Sequence, residues 1–287
     1  MKKLLKSSFL SLHSYPNDDI SAYIRAGLEF FKDVGFDVAN ISTSKLLPPD
    51  GNWQPIVEQA LQDAKELNVP FIDCHLPFYS DKVNTDPEFA ELCSKKVHTG
   101  IEIAKALGVK HAVLHPNTSA VTAREFDRNA AYDMVMAHMA PFAEHAAKIG
   151  VNLAVENMRL DPAIRQSHRY CQDPDEICQV ADALGAGVCW DFGHANMVGL
   201  KQSEALAYIG KRLKCLHIQD NSGVVEDYTP PFLGNIDWKD AMHGLALAGF
   251  EGPLNYEVVT ARIPAEIRKT FAKYLVDVAD KLMEYIE

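Results

Sequence analysis

The chain has 287 residues, 47% of them hydrophobic, and a formal net charge of −11 at pH 7. This length can bury a full core and is close to the roughly 250 residues typical of an eight-fold barrel, so we expect a single domain over residues 1–287. The acidic balance argues against a general binder of nucleic acid or of anionic membranes, because such binding depends largely on clustered Lys and Arg.

The cysteines and the first residues bear on where the protein works. The six cysteines form no C-x-x-C pair and lie mostly inside predicted strands or helices, so we expect reduced core residues in a cytoplasmic protein. The start, MKKLLKSSFLSLHSYP, is similar to a signal peptide, but Lys6 interrupts the apolar run and no small-residue cleavage site follows. We interpret it as the first strand, and no stretch is long enough to cross a bilayer.

Eight short apolar segments run into polar residues that can bind a metal or move a proton, at intervals of 26 to 41 residues. In chain order the segments are FLSLHS, VGFDVAN, VPFIDCHLP, KHAVLHPN, VNLAVENM, GVCWDFGHAN, KCLHIQDN and GPLNYEVV. The polar residues are His13, Asn40, His75, His115, Glu156, Asp191, His217 and Glu257. Helices are predicted at about 20–31, 56–64, 97–107, 124–149, 173–184, 202–210, 238–248 and 264–285. Strands that alternate with helices of this length predict a parallel sheet.

The alternation alone fits an open doubly wound sheet as well as a closed barrel. No glycine-rich phosphate loop of either common type follows the first predicted strand. Polar residues instead follow nearly all the strands, which is how a closed barrel uses its strand ends. We therefore predict an α/β fold with a single (β/α)8 TIM barrel, in which the polar residues converge on one face.

Glu156, Asp191, His217 and Glu257 close the last four predicted strands. Three carboxylates about 5 Å apart would repel one another by roughly 3 kcal/mol per pair at an effective dielectric of 20. A divalent ion relieves this repulsion, and three oxygen donors with one nitrogen suit Mn²⁺, Mg²⁺ or Co²⁺, with Zn²⁺ as a further choice. We expect one divalent metal ion and no organic cofactor.

These residues support chemistry on a hydroxycarbonyl compound. Such a compound can chelate the ion, which stabilises the enediolate formed when a carbon-bound proton leaves. Glu156 and Glu257 are the natural catalytic acid and base. Return of the proton to the opposite face gives epimerisation, and return to the adjacent carbon gives isomerisation; the sequence does not choose between them. We expect His75 and His194 to orient hydroxyls or protons of the substrate.

Several strand-end motifs resemble a known superfamily. AVENM, CWDFGHAN, LHIQDN, PFLGNIDW and NYEVV are similar to motifs of the sugar isomerase and epimerase superfamily with a xylose-isomerase-like barrel, which also contains metal-dependent abasic-site endonucleases. The resemblance covers essentially the whole chain. It implies that Glu156, Asp191, His217 and Glu257 hold the catalytic metal, that the two glutamates double as acid and base, and that His194 contacts the substrate.

The same resemblance bears on further metals. It implies that His75 and His115 match residues that the endonucleases use to bind another zinc. The superfamily often has D-x-H before its proline and glycine turn, whereas this chain has Asp227, Tyr228 and Thr229. Asp227 stays a substrate-binding candidate, although an Asp before YTPP is equally suited to set up a turn. Because threonine is a poor replacement for imidazole, this departure argues against a third metal and weakens the nuclease interpretation.

Two further regions complete the candidate residues. The segment after the fifth strand could contact a phosphate or carboxylate of the substrate, or belong to a solvated loop; its candidate residues are Arg159, Arg165, His168 and Arg169. His111 opens the fourth strand at the opposite face of the barrel, where we interpret it as serving stability.

The sequence thus predicts a divalent-metal-dependent isomerase or epimerase of a small sugar or a related polyol or hydroxyacid. We expect a small-molecule substrate and no nucleic acid or membrane partner, and a homo-oligomer stays open. One alternative is a dehydratase acting on a cyclic polyol or a dehydroshikimate-like substrate. The others are a phosphodiesterase or abasic-site endonuclease, and a carbohydrate-binding barrel without turnover.

Overall fold

The computed structural model describes residues 3–13, 19–164, 166–260 and 263–286, so Arg165 lies outside the described residues. Within these ranges the chain forms a sheet of eight parallel strands, β1–β8, and nine α-helices, α1–α9. A separate antiparallel pair of two-residue strands, Val121–Thr122 and Ser167–His168, lies outside this sheet. The strands are Lys6–Phe9, Val38–Ser42, Phe71–His75, His111–Leu114, Leu153–Glu156, Gly187–Asp191, Leu213–His217 and Leu254–Tyr256. The helices are Ile20–Val34, Gln54–Leu67, Pro87–Leu107, Arg128–Ile149, Pro174–Leu184, Phe192–Val198, Gln202–Ile209, Trp238–Ala248 and Ala265–Glu284.

From β1 to β7, strands that follow one another in the chain are neighbours in the sheet, and β8 pairs with β1 in parallel. The remaining gap, between β7 and β8, is bridged by backbone hydrogen bonds. Ile218 N donates to Asn255 O at 2.8 Å, and Glu257 N donates to Ile218 O at 3.0 Å. The predicted (β/α)8 barrel is therefore confirmed, with all strand carboxyl ends on one face.

The first strand lies earlier than predicted. It ends at Phe9, the last residue of β1 that pairs with β2, and residues Leu10–His13 form a short 3-10 turn instead of the FLSLHS strand. Lys6 is buried within the strand, and its Nζ lies 2.7 Å from Asp280 Oδ2, an ion pair with a residue of α9. A charged residue is accommodated in this strand because its ammonium group reaches a carboxylate on the surrounding helix.

The short helix α6 was not predicted. It begins directly after β6 because Asp191, at the strand end, is its N-cap and accepts a hydrogen bond from His194 N. Gly199 ends it in the left-handed conformation, with φ of 83°. One aspartate thus ends a barrel strand and starts a helix, which sets the direction of the carboxylate.

The helices pack their apolar faces on the barrel as the spacing predicts. In α9, for example, Leu275, Val278 and Leu282 are buried. All six cysteines are buried free thiols. In the part of the chain that the structure describes, no helix combines the length and the apolar character that a membrane span requires.

Candidate metal centre

The strand ends bring together the residues that the sequence singled out. Glu156, Asp191 and His217 are the last residues of β5, β6 and β7, and Glu257 directly follows β8. Their ligand-capable atoms all lie within 4.8 Å of one another. We call these four residues the tetrad. Parallel strands converge at their carboxyl ends, so positions about 100 residues apart in sequence meet at one point.

His217 is the central contact of the tetrad. Its Nδ1 lies 2.9 Å from Glu156 Oε1 and 2.9 Å from Glu257 Oε2. Burial disfavours the charged imidazole, but the two glutamates hold the pKa of His217 well above its usual range. Burial likewise disfavours the carboxylate of Glu156, yet His217 and His115 hold its pKa well below the usual range. In the protein alone, protons on His217 and His194, whose pKa values are both raised, therefore balance the buried carboxylates.

The donor set of the tetrad fits a divalent cation. It offers carboxylate oxygens from three residues and Nδ1 of one histidine, and Glu156, Asp191 and His217 are fully buried. Burial raises the pKa of Asp191 to about 7, with Glu156 and Glu257 contributing in the same direction. A cation at this point would take over the role of the protons, and oxygen-rich sets with one nitrogen suit Mn²⁺, Mg²⁺ or Co²⁺.

Two residues that the sequence did not single out hold Asp191 in place. Asn157 Oδ1 accepts from Asp191 N at 2.6 Å, and Gln219 Nε2 lies 3.3 Å from both carboxylate oxygens of Asp191. Gly193 is required beside them, because a Cβ there would lie 2.4 Å from Gln219 Cδ. Such supporting hydrogen bonds fix the orientation of ligands at metal sites. The sequence signal for Asn157 and Gln219 is weak: Asn157 lies one residue after Glu156 in AVENM, and Gln219 lies two residues after His217 in LHIQDN.

His75 and His115 lie on the other side of Glu156. Their Nε2 atoms are 3.2 Å and 3.0 Å from Glu156 Oε2, whereas Oε1 of the same carboxylate faces His217. Burial lowers the pKa of His115. Glu156 therefore connects the tetrad to a histidine pair, which the sequence placed near the same site.

His194 sits between two oxygen acceptors. Its Nδ1 lies 2.8 Å from Asn157 O and its Nε2 lies 2.7 Å from Glu226 Oε1, so both nitrogens carry protons. Burial opposes this charge, but Asp191 and Glu226 raise the pKa of His194 to about 10. Arg159 pairs with the second oxygen of Glu226. His194 and Arg159 are thus brought to the site and joined there by one carboxylate.

The structure does not bring Asp227 to the site. Its side chain is exposed, and it lines neither of the cavities next to the tetrad. The residues on either side, Glu226 and Tyr228, do line a cavity. In the D-x-H motif an acidic residue is followed two positions later by a side chain with a ring, and Glu226 and Tyr228 have the same spacing. Placing the motif one residue earlier in the sequence would have identified both residues.

Two cavities of about 220 and 260 Å³ open at the tetrad. They share His75, Phe78, Tyr228 and Glu257 as lining residues. The first cavity is polar and is also lined by His115, Glu156, Arg159, Arg169, His194 and Glu226. The second adds Phe9, Ser11, Ser42, Val258 and Val259. Concave sites with a few convergent polar groups are typical of small-molecule binding.

Comparisons with known proteins agree with this architecture. A family model described as a xylose isomerase-like TIM barrel matches residues 28–277. An uncharacterized protein of Sinorhizobium fredii (strain NBRC 101917 / NGR234) is 28% identical over 158 residues, which are 55% of this chain and 50% of that protein. The chain thus spans about half the length of that relative.

Two solved structures are similar over nearly the whole chain. L-ribulose 3-epimerase superimposes with a TM-score of 0.74 at 17% identity, covering 99% of this chain and 95% of that one. D-allulose 3-epimerase from Methylomonas sp., in complex with D-allulose, gives a TM-score of 0.70 at 20% identity, covering 100% of this chain and 97% of that one. At these identities the similarity establishes a shared barrel fold.

Proposed function

The chain belongs to the xylose isomerase-like TIM barrel family, and from this premise we propose that it is a cytoplasmic, divalent-metal-dependent isomerase or epimerase of a small sugar or a related polyol or hydroxyacid. The observation that carries the proposal is the tetrad, whose ligand-capable atoms lie within 4.8 Å of one another beside two small cavities. The names of two solved relatives, a ribulose and an allulose 3-epimerase, support a sugar-like substrate. Buried free cysteines support a reducing compartment.

The tetrad residues supply the proton transfer. A bound divalent ion would polarise a carbonyl and a neighbouring hydroxyl oxygen of the substrate and make the adjacent carbon-bound proton acidic. Glu156 and Glu257 come from different strands and each lies 2.9 Å from His217 Nδ1, so a substrate at the tetrad has two carboxylates within reach. One takes the proton and the other returns a proton. The carbon that receives it decides between epimerisation and isomerisation.

The surrounding polar residues orient the substrate. His194 and Arg159 are fixed by Glu226, so the polar cavity has a rigid wall of charged groups. Tyr228 and Phe78 line both cavities and help to exclude water from the reacting carbon. We therefore assign substrate binding to His75, His115, His194, Arg159 and Glu226, and not to Asp227.

Solvent deuterium exchange tests the proposal. Ketoses, aldoses and their phosphates are incubated with the protein and Mn²⁺, Mg²⁺ or Co²⁺ in deuterated water, and products are analysed for carbon-bound deuterium. Glu156→Gln and Glu257→Gln should each abolish exchange, whereas Glu266→Gln, on exposed surface of α9, should not. Exchange at the wild-type rate in either tetrad variant would refute the assigned roles. An unsaturated product would indicate a dehydratase, and binding without exchange would indicate a carbohydrate-binding barrel.

One observation favours a second candidate, a metal-dependent phosphodiesterase or abasic-site endonuclease. The Nε2 atoms of His75 and His115 lie 3.2 Å and 3.0 Å from Glu156 Oε2, where a further ion could share Glu156 with the tetrad. Two ions a few ångströms apart are typical of phosphodiester cleavage. A metal equivalent that disappears in His75→Ala and His115→Ala, together with cleavage of abasic DNA, would support this candidate over the isomerase.

A further inference from the structure

A second group of metal-ligating side chains lies inside the barrel, toward the opposite face. Asp73 precedes His75 by two residues in β3, and Cys215 precedes His217 by two residues in β7. Because side chains alternate along a strand, both project into the same interior as those histidines, one layer further from the tetrad. His111, the first residue of β4, joins them, and we call these three residues the lower trio.

The members of the lower trio are in direct contact. Their ligand-capable atoms all lie within 4.8 Å of one another. His111 Nδ1 lies 3.2 Å from Asp73 Oδ1, and the Cys215 thiol is hydrogen-bonded to the His111 side chain. Asp73 and Cys215 are each 2% exposed, and 19% of the His111 side chain is exposed. Carboxylate, imidazole and thiolate are the three ligand types of zinc sites in proteins.

A cavity gives access to the lower trio from solvent. It has a volume of about 470 Å³, and both Asp73 and His111 line it. Lys110, Lys211 and Lys214 lie around it with exposed side chains, which favour an anion or water at a coordination position open to the cavity. Three protein ligands and one open position form the arrangement of zinc sites that bind exchangeable ligands.

We propose that Asp73, His111 and Cys215 form a second metal site, for Zn²⁺ or Co²⁺, separate from the tetrad. The thiolate selects these ions over Mg²⁺ and Mn²⁺, which prefer oxygen donors. One carboxylate and one thiolate balance the two charges of the ion. Bonds of about 2.0 to 2.3 Å place tetrahedral ligand atoms roughly 3.3 to 3.8 Å apart, so binding needs a contraction of at most about 1.5 Å from the observed upper separation of 4.8 Å.

The bound ion would connect opposite parts of the barrel. Asp73 and His111 belong to the adjacent strands β3 and β4, and Cys215 belongs to β7. An ion that binds the folded but not the unfolded chain stabilises the fold in proportion to its affinity. The proposal does not depend on the reaction at the tetrad.

Cobalt spectroscopy separates the two sites, because the tetrad has no sulfur donor. The metal-free protein is titrated with Co²⁺ while the near-ultraviolet band of thiolate-to-cobalt charge transfer is recorded. In the wild type the band should saturate at one equivalent per chain. Glu156→Gln should retain the band, and Cys215→Ser should abolish it. The matched control is Cys178→Ser, since Cys178 is a buried thiol of α5 outside the lower trio, and it should retain the band.

His111→Gln provides a variant that keeps every thiol. It should weaken the cobalt affinity at least tenfold while leaving the thermal unfolding of the metal-free protein cooperative. Absence of a thiolate band in the wild type, or a band that survives Cys215→Ser, overturns the second site. Neither result bears on deuterium exchange, so the two proposals fail independently.

Discussion

Asp191→Asn separates two roles of one side chain. Asp191 contributes a carboxylate to the tetrad and also caps α6, accepting from His194 N at 2.6 Å. Asparagine keeps the size of the side chain and is an equally good N-cap, but it has no charge. We therefore expect the substitution to leave α6 intact and to remove only the electrostatic contribution of Asp191.

The structure gives the size and the sign of that contribution. Two unit charges at the 4.8 Å limit that the tetrad atoms satisfy repel by about 3.5 kcal/mol at an effective dielectric of 20. Asp191 faces two such charges, Glu156 and Glu257, and the imidazoles of His194 and His217 offset part of the repulsion. We expect the variant to raise the free energy of unfolding of the metal-free protein by about 1 to 3 kcal/mol.

With metal bound, the wild type should be more stable than the Asp191→Asn variant. An ion present at 100 times its Kd stabilises the wild type by about 2.7 kcal/mol, and the variant, lacking one charged ligand, should gain much less. Urea unfolding at pH 8, with chelator and with Mn²⁺, measures both states. The matched control is Asp220→Asn. The Asp220 carboxylate accepts hydrogen bonds from Asn221, Phe232, Ile236 and Trp238, so this variant should be less stable than the wild type both with chelator and with Mn²⁺. If Asp191→Asn destabilises the metal-free protein, the argument from charge repulsion is wrong. If Mn²⁺ stabilises the variant as much as the wild type, Asp191 is not a ligand of a metal ion at the tetrad.

Three further changes test other parts of the structure. Glu226→Gln removes the carboxylate that pairs with a histidine and an arginine of the polar cavity, and should lower kcat/KM about 10- to 100-fold in steady-state assays, whereas Asp227→Asn should leave it unchanged. Gly193→Ala places a Cβ 2.4 Å from Gln219 Cδ, displaces the amide that contacts the tetrad aspartate, and should weaken Mn²⁺ binding in calorimetry. Burial lowers the pKa of His13 to about 4, so below about pH 6.5 the unfolded chain binds a proton that the folded protein does not. The free energy of unfolding should therefore fall by up to about 3 kcal/mol as the pH falls to about 4. His13→Gln should remove this contribution to the pH dependence, measured by urea titrations at each pH.

The barrel and the tetrad were predictable because both depend on position along a strand. An apolar run followed by Glu, Asp or His marks the carboxyl end of a strand, and a barrel gathers these ends whatever their separation in sequence. Glu156, Asp191, His217 and Glu257 were found in this way. The start of the chain shows where the method fails: Leu10 and Leu12 continue the apolar pattern past Phe9, but pairing with β2 has already ended. Hydropathy reports burial, and these two residues are buried outside the sheet.

The loop after β7 could not be predicted from local pattern. Its path is set by tertiary hydrogen bonds: Asp220 accepts from Phe232 N and Ile236 N, and Thr229 N donates to Asp220 O at 3.0 Å. Tyr228 takes a positive φ of 49° within this loop. The side chains that turn inward are thus selected by a carboxylate several residues away. For this reason Glu226 reaches His194 while its acidic neighbour faces solvent.

The choice between the isomerase and the phosphodiesterase depends on one atom, Glu156 Oε2. His75 Nδ1 lies 2.6 Å from Leu76 O and must donate its proton there, so a neutral His75 would present a lone pair at Nε2, 3.2 Å from Glu156 Oε2. Two acceptors at this distance require a positive charge between them. If that charge is a proton, the site holds one metal ion, at the tetrad, and Glu156 stays hydrogen-bonded and available for proton transfer. If that charge is a metal ion, Glu156 Oε2 is one of its ligands and the site holds two ions. A metal equivalent that depends on His75 therefore distinguishes the chemistries more directly than any survey of substrates.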